Sequence, residues 1–486
     1  MSHNALKNTA PGGTSNRYRW FVLANVSVGT FMATLDSSIV NVALPTINTV
    51  FQTSLQTVQW VVTAYLLVIS SLLPVFGRTA DLLGRKRVYS FGFIVFTLGS
   101  ALCGLAPNIW FLVGMRVFQA IGASMLMANS AAIITATFPP RERGRALGLT
   151  GTVVALGSLA GPAVGGILVG LAGWRSIFYV NLPIGIIGYL AARVVLPNDK
   201  SAGMSETFDF KGAILFTLGM VSLLLGINNG QDWGWTSLPV LAGLVLGILL
   251  LGSFFITELR VKHPMIDLSL FRNWPFLAGN LSGLLSFVAI FGNFMLMPFY
   301  LQHILNYDPT KVGMIMTSFP LVMAVAAPIS GYASDRIGPV ALTTGGLLFS
   351  AAGLFYLAHV SATSSAWQVI PGPLLMGLGA GLFNSPNNSS VMSAVPPQKL
   401  GLAGGVNALV RNVGMVVGIA FSVTLFENRQ TAILAKVSNP SVLQQTAAFM
   451  TAYHTVMLAG MGVALVAVLI SLNRKGYAKA DPVKVS

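Results

Sequence analysis

Three charged side chains lie well inside the long apolar runs of this sequence: Asp36, Arg116 and Arg411, with Glu427 at the far end of another run. A charge held at the middle of a bilayer costs roughly 2.5–3.5 kcal/mol even on lenient insertion scales, so such residues usually line a cavity or a proton relay. Asp36 sits in "LDSSIVNVALP" at 35–45. Burial favours the neutral form of a carboxyl. A desolvated Asp36 would therefore take a proton from one side and release it on the other, or release it when a cation arrives. The plainer alternative is a carboxylate neutralised by a fixed hydrogen bond, holding Asn41 and the end of the first helix, which Pro45 is expected to mark. Arg116 keeps its proton. It would favour ionisation of a nearby acid, or hold water and carbonyls, and Gln119 lies three residues on along the same helical face. Arg411, near Asn407 and Asn412, reads as a structural charge, an anchor rather than a transport residue.

The elements that must carry these residues follow from composition. Of 486 residues, 54% are hydrophobic and 8% charged, with a mean hydropathy of +0.74, whereas soluble domains average about 25% charged residues. Apolar runs long enough to cross a hydrocarbon core of about 30 Å recur from end to end. The fold class expected is an all-α polytopic membrane protein with spans at 20–44, 57–76, 88–106, 108–137, 146–170, 174–192, 212–228, 238–257, 275–303, 312–334, 339–358, 366–393, 402–426 and 446–472, fourteen in all. Lys and Arg in loops are biased toward the cytoplasm. With fourteen spans, 22 of the 28 fall on one face with both tails, 4 on the other, and 2 within spans. Both termini are therefore expected in the cytoplasm, with the chain in the plasma or inner membrane. The net charge of +15 does not imply nucleic acid, because the basic residues sit in short loops between apolar runs. The single cysteine, Cys103, excludes a disulfide or a cysteine metal cluster. The first apolar run is too long for the h-region of a cleaved signal peptide.

An internal repeat divides the chain. "PPRERGRALG" at 139–148 aligns with "PPQKLGLAGG" at 396–405, and the same offset of 257 matches Gly122, Gly157 and Gly161 to Gly379, Gly414 and Gly418. "GRTADLLG" at 77–84 aligns with "GYASDRIG" at 331–338. The expected organisation is a cytoplasmic tail 1–19, a six-helix bundle 20–196, two inserted spans with linkers 197–265, a second six-helix bundle 266–472 and a cytoplasmic tail 473–486. A repeat of this kind, with six spans in each half, implies parallel halves related about an axis along the membrane normal.

Two motif regions carry a physical reading of their own. In the loop after the second span, Gly77, Arg78, Asp81, Gly84 and Arg85 combine tight-turn glycines with an acid among bases. A solvated positive-inside loop would explain the arginines alone. Asp81 and the spacing repeated at Asp335 favour a cytoplasmic gate that pairs charges in one conformation and releases them in the other. In the fifth span, Gly148, Gly157, Gly161, Gly165 and Gly166 permit close helix packing, and Pro162 removes one helix hydrogen bond.

These stretches resemble signature motifs of the major facilitator superfamily: "GRTADLLGRKR", "RVFQAIGAS" in span 4, and the span-5 glycine pattern. "LDSSIVNVALP" and "WRSIFYVNLPIG" are similar to its fourteen-span drug:proton antiporter branch. The resemblance covers the chain from span 1 to span 14. It implies two pseudo-symmetric six-helix bundles plus two further helices, and a span-5 contact that seals one side of a cavity and suppresses leak. It also implies a substrate cavity lined by spans 1, 4, 9 and 12. The facing candidates are Asn25, Met32, Asp36, Asn41, Gln119, Asn129, Asn280, Asn293, Phe294, Met297, Tyr300, Phe383, Asn384, Asn387 and Asn388. Methionine and aromatic side chains with scattered amides suit a large apolar site, although such residues on membrane helices more often face lipid or core.

The expected activity is proton-coupled antiport exporting amphipathic drugs or toxic compounds, with Asp36 and Arg116 coupling the proton. Its partners would be an amphipathic small molecule, protons and the lipid bilayer, with the protein acting as a monomer and using no cofactor or metal. Export of one metabolite, lipid precursor or peptide is the alternative; a channel or receptor fits the repeat less well. No HExxH or other catalytic constellation is present, and no GxxxxGK[ST] loop for a primary pump. A proton falling through one pH unit yields roughly 1.4 kcal/mol and through 100 mV about 2.3 kcal/mol. One titrating acid therefore suits neutral, weakly charged or monocationic substrates better than dications.

Overall fold

The computed structural model describes residues 16–197, 210–230, 233–261, 268–396, 399–435, 437 and 439–474. Among them the chain is helical throughout, as it must be where no water can satisfy backbone groups. The long helices are α1 (Asn16–Phe51), α2 (Trp60–Leu83, after a short turn Leu55–Val58), α3 (Arg85–Gly104), α4 (Ile109–Thr137), α5 (Pro140–Ala172) and α6 (Asn181–Val195, after Ser176–Tyr179). Next come α7 (Phe210–Asn229), α8 (Leu238–Glu258), α9 (Trp274–Phe299, continued by a π turn Tyr300–Ile304) and α10 (Pro309–Ile337). The last four are α11 (Pro339–Leu357), α12 (Pro371–Ser393, after Ala366–Val369), α13 (Leu400–Leu434) and α14 (Val442–Leu472). Among the described residues, thirteen helical segments are long and apolar enough to cross a membrane. The expected fourteenth is α5, in which Leu156–Ala172 forms a shorter apolar helical stretch among the described residues.

One boundary differs from expectation. Pro45 does not end α1, which continues to Phe51. Proline removes a single hydrogen bond, a loss that membrane helices tolerate; one residue from the affected Asn41 carbonyl, Gln302 Nε2 donates to the Val42 carbonyl at 2.9 Å and ties α1 to the π turn after α9.

The two sets of six helices pack alike. In the first, α1 lies against α4, α5 and α6, α3 against α4 and α6, and α2 against α4. In the second, α9 lies against α12, α13 and α14, α11 against α12 and α14, and α10 against α12. The likeness reaches single residues. Gly84 (φ 97°) and Gly338 (φ 83°) end α2 and α10 in the left-handed region that glycine alone enters freely. A Cβ on Gly122 would lie 2.3 Å from the Phe96 nitrogen, and one on Gly379 would lie 2.6 Å from the Ser350 nitrogen, so α4 meets α3 as α12 meets α11. Helices α7 and α8 pair with each other, and α7 also touches α2 and α13.

Between the two sets, α5 packs on α10 and α2 on α13. At the end away from the Gly84 and Gly338 turns, a Cβ on Gly166 would meet the Pro309 carbonyl at 2.5 Å, and one on Gly313 the Pro162 carbonyl at 2.3 Å. Thr310 Oγ1 donates to Gly166 O at 3.3 Å. That end is closed backbone against backbone.

Overpacking a tight crossing costs about 1–3 kcal/mol. Gly122→Val is expected to lower the thermal unfolding midpoint of purified protein in detergent by several degrees, read by fluorescence-detected size exclusion. A midpoint equal to wild type would contradict the tight α3/α4 crossing.

Candidate functional site

The buried charges converge in the first six helices. Asp36, midway along α1, has no solvent exposure. Helix α4 presents Arg116 and Gln119 on one face, and α6 begins at Asn181. Arg116 Nη1 donates to Asp36 Oδ2 at 2.5 Å, while Gln119 Nε2 and Asn181 Nδ2 donate to Asp36 Oδ1 at 2.9 and 2.8 Å. The same Arg116 Nη1 also donates to Gln119 Oε1 at 2.7 Å, and Nε to the Val61 carbonyl of α2 at 3.0 Å. The guanidinium carbon stands 4.0 Å from the centre of the Tyr65 ring, a cation–π contact. Asn181 Nδ2 continues to Ser100 Oγ on α3 at 3.0 Å, and Ser100 donates to the Phe178 carbonyl at 2.8 Å.

A buried charge is tolerable only when paired and hydrogen-bonded. Here one carboxylate accepts from three side chains, and the cation facing it has its own carbonyl and aromatic partners. Five helices are tied at one point. Residues 36 and 41 lie about 140° apart around a helix, so Asn41 faces elsewhere and is not a donor to Asp36. Asn181, Ser100, Tyr65 and the Val61 carbonyl were not singled out from sequence. Asn181 could have been, as the one amide in "WRSIFYVNLPIG"; a backbone carbonyl leaves no signal.

Asn293 stands 257 residues after Asp36, and Met376 the same distance after Gln119. The second half repeats the arrangement without charge. Tyr453 OH of α14 donates to Asn293 Oδ1 at 3.2 Å, and Asn293 Nδ2 lies 3.6 and 3.8 Å from the sulfurs of Met297 and Met376. Tyr300 stacks on Tyr453 at 5.1 Å between ring centres and donates to Ser361 O at 2.7 Å.

The remaining cavity candidates are dispersed. Met32 is fully buried. Asn25 donates to Gly188 O, Asn129 to Met125 O and Asn280 to Phe276 O. Phe383 packs with Leu347 and Ala467. Phe294 is partly exposed and meets Phe319 of α10 edge-on at 4.8 Å. Asn387 donates to Gly279 O at 3.1 Å and accepts from Arg474 at 3.0 and 2.9 Å. Arg474, placed by sequence in a solvated tail, is 4% exposed, and desolvation pushes its pKa down to about 10. Asn388 is exposed and accepts from Asn407 at 2.8 Å; Asn384 and Arg411 are partly exposed.

Of the gate residues, Gly84 makes its turn, a Cβ on Gly77 would meet nothing within 4 Å, and Arg85 Nη1 donates to Ala132 O at 3.3 Å. Arg78 is partly exposed. The side chains of Asp81 and Asp335 and the surroundings of Gly148 lie outside what is described. Three of the span-5 glycines face α1: a Cβ on Gly157 would meet Thr34, one on Gly161 would meet Ser38, and one on Gly165 would meet Ile39. Pro162 and Gly166 face α10. Among the described residues, no group of three or more His, Cys, Asp or Glu side chains could hold a metal ion.

A family profile described as the Major Facilitator Superfamily matches residues 26–419. The riboflavin transporter RibZ of Clostridioides difficile is 38% identical over 418 residues, 85% of this chain and 90% of that protein. The multidrug resistance protein Stp of Mycobacterium tuberculosis is 34% identical over 83% of this chain and 75% of its own. The multidrug transporter protein MdtP of Bacillus subtilis is 31% identical over 82% and 74%. Among solved structures, a bacterial homologue of the human lysosomal transporter Spinster, inward-facing and occupied, superposes with a TM-score of 0.68 at 17% identity, covering 96% of this chain and all of that one.

Removing one member of a buried ion pair strands the other and costs about 3–5 kcal/mol. Asp36→Ala is expected to destabilise by that order in thermal unfolding, and adding Arg116→Met to recover much of the loss. Additive losses would mean that the pair is not energetically coupled.

Proposed function

Because this chain belongs to the Major Facilitator Superfamily, a family of membrane transporters rather than enzymes, we propose that it exports amphipathic small molecules in exchange for protons by alternating access. The observation that carries this reading is the closed network around Asp36. In it the carboxylate is the acceptor for Arg116, Gln119 and Asn181 together. A proton arriving on Asp36 cancels one charge of the ion pair. Arg116 then keeps Gln119 Oε1 and the Val61 carbonyl, and the ties from α1 to α4 and α6 weaken at once.

That release has a short route to the contact between the halves. Two and three residues beyond Asp36, Ser38 and Ile39 bear on Gly161 and Gly165 of α5, and Gly166 of α5 bears on Gly313 of α10. Alternating access in this reading is the opening of the α5/α10 contact while the Gly84 and Gly338 turns approach. By the positive-inside rule those turns and both termini face the cytoplasm, and the closed Gly166/Gly313 end faces outward. The conformation is then the one closed toward the outside. Bacterial relatives favour the cell (inner) membrane, and one copy of the fold suffices for the cycle, so the protein acts as a monomer. The loop motif around Asp81, with Asp335 in the second half, serves as the cytoplasmic gate.

A second reading, export of one specific compound, is favoured by the name of one relative, a riboflavin transporter. A panel of riboflavin, cationic dyes and biocides separates the two: a multidrug exporter moves several unrelated members, a specific one a single member.

Proton coupling is tested by flux in proteoliposomes on adding panel substrates. Asparagine is a geometrically tolerated residue here, since Asn293 fills the equivalent place in the second half. Asp36→Asn is expected to reduce substrate-driven proton movement at least tenfold while substrate still binds. Undiminished exchange in the variant would remove Asp36 from the mechanism.

A further inference from the structure

Helix α13 carries a charge that the Asp36 network does not use. Arg411 lies about 16 Å along α13 from its start and is partly exposed. It was expected to be a structural anchor; among the described residues the guanidinium has no hydrogen-bond or ion-pair partner.

Its direction follows from its neighbours on the same helical face. Asn407, one turn before, donates to Asn388 of α12 at 2.8 Å. On α9, the same face presses against Leu284 and Phe287 at Gly414, and against Val288 at Gly418. Arg411 therefore looks into the seam of α9, α12 and α13 rather than into lipid. Helices α12 and α13 run antiparallel, so the Asn388–Asn407 contact sets Asn384 opposite Arg411 one turn deeper. Asn384 is also partly exposed and without a hydrogen-bond partner.

The seam offers this cation no counter-charge. Helices α9 and α12 contain no Asp or Glu, and the one acid on α13, Glu427, lies 16 residues away, about 24 Å along the axis. We propose that Arg411 and Asn384 recognise an anionic group, a carboxylate, sulfonate or phosphate, on the transported amphipathic molecule. The guanidinium presents a planar fork of donors to two oxygens, Asn384 supplies an amide N–H, and the apolar body lies against the neighbouring helices. The proposal rests on the exporter reading. It also relaxes the demand on titrating groups. One proton entering against one anion leaving moves two charges down an inside-negative potential, where a neutral substrate moves one, so a single acid suffices.

A rival role for Arg411 is purely structural: Asn280 of α9, on the same face as Leu284 and Phe287, has a buried Oδ1 without a partner, to which the guanidinium could swing. The two roles separate in a binding experiment. Full-length protein in lipid nanodiscs, with empty nanodiscs as control, is titrated with two probe pairs that differ by one anionic group. The pairs are riboflavin with riboflavin 5′-phosphate, and N-phenyl-1-naphthylamine with 8-anilinonaphthalene-1-sulfonate. For at least one pair the anionic member is expected to bind at least tenfold more tightly. Arg411→Gln brings the ratio near one, Arg411→Lys retains part of it, and Asn384→Leu reduces it. Equal affinities in the wild type, no saturable binding of either anion, or parallel loss of both members in Arg411→Gln with a lowered unfolding midpoint would overturn the site. The exporter reading fails separately: anion preference without any proton exchange refutes that reading alone, whereas proton exchange with both members bound alike refutes the Arg411 site alone.

Discussion

The ion pair of Asp36 and Arg116 is the constraint on which the first half of the molecule is organised. Two charges taken out of water must satisfy each other and fill their remaining hydrogen-bonding positions. Here Gln119, Asn181, Ser100, Tyr65 and the Val61 carbonyl meet those demands. These partners come from α1, α2, α3, α4 and α6, so the electrostatic need of one carboxylate fixes the mutual register of five helices. The same registers bring Gly92 and Gly122 together, and Ser38 onto Gly161. Charge and close packing specify one arrangement.

The second half shows what that arrangement becomes without the charge. Asn293 and Met376 hold the places of Asp36 and Gln119, and the partner on the last helix of the bundle is Tyr453. Aromatic stacking of Tyr300 on Tyr453 replaces ionic bonding. The helix crossings are nevertheless alike, because glycines at Gly346 and Gly379 impose the same close approach as Gly92 and Gly122. Backbone contact thus sets the helix crossings in both halves, and in the first the buried ion pair constrains the same registers a second time.

Much of this was legible in the sequence, for reasons that differ by residue. Membrane helices announce themselves by length and hydropathy, and a repeat is visible because glycines at crossings and positive-φ turns tolerate no substitute. Gly84 and Gly338 were found that way. Asp36 and Arg116 stood out because charge within apolar runs is costly. What stayed hidden depends on rotation about helix axes and on backbone atoms. The Val61 carbonyl has no residue type to betray it, and Ser100 is one serine among many. Pro45 misled because a proline removes only one helix hydrogen bond, and α1 runs on through it to Phe51. Arg474 looked like one more basic residue beyond the last span, yet the chain folds it beneath α9 and onto Asn387. The cavity candidates on α9 and α12 do not share a function: Phe383 packs, Asn387 ties a terminus, Phe294 and Asn384 stay partly exposed, and Asn388 is exposed.

The sealing of Asp36 also bears on the cell that makes this protein. A carboxylate with no solvent exposure, held by three donors and packed among apolar helices, is out of reach of solvent in this conformation. If the proposed exchange holds, an energised membrane can carry many resting copies without a standing proton leak through this carboxylate.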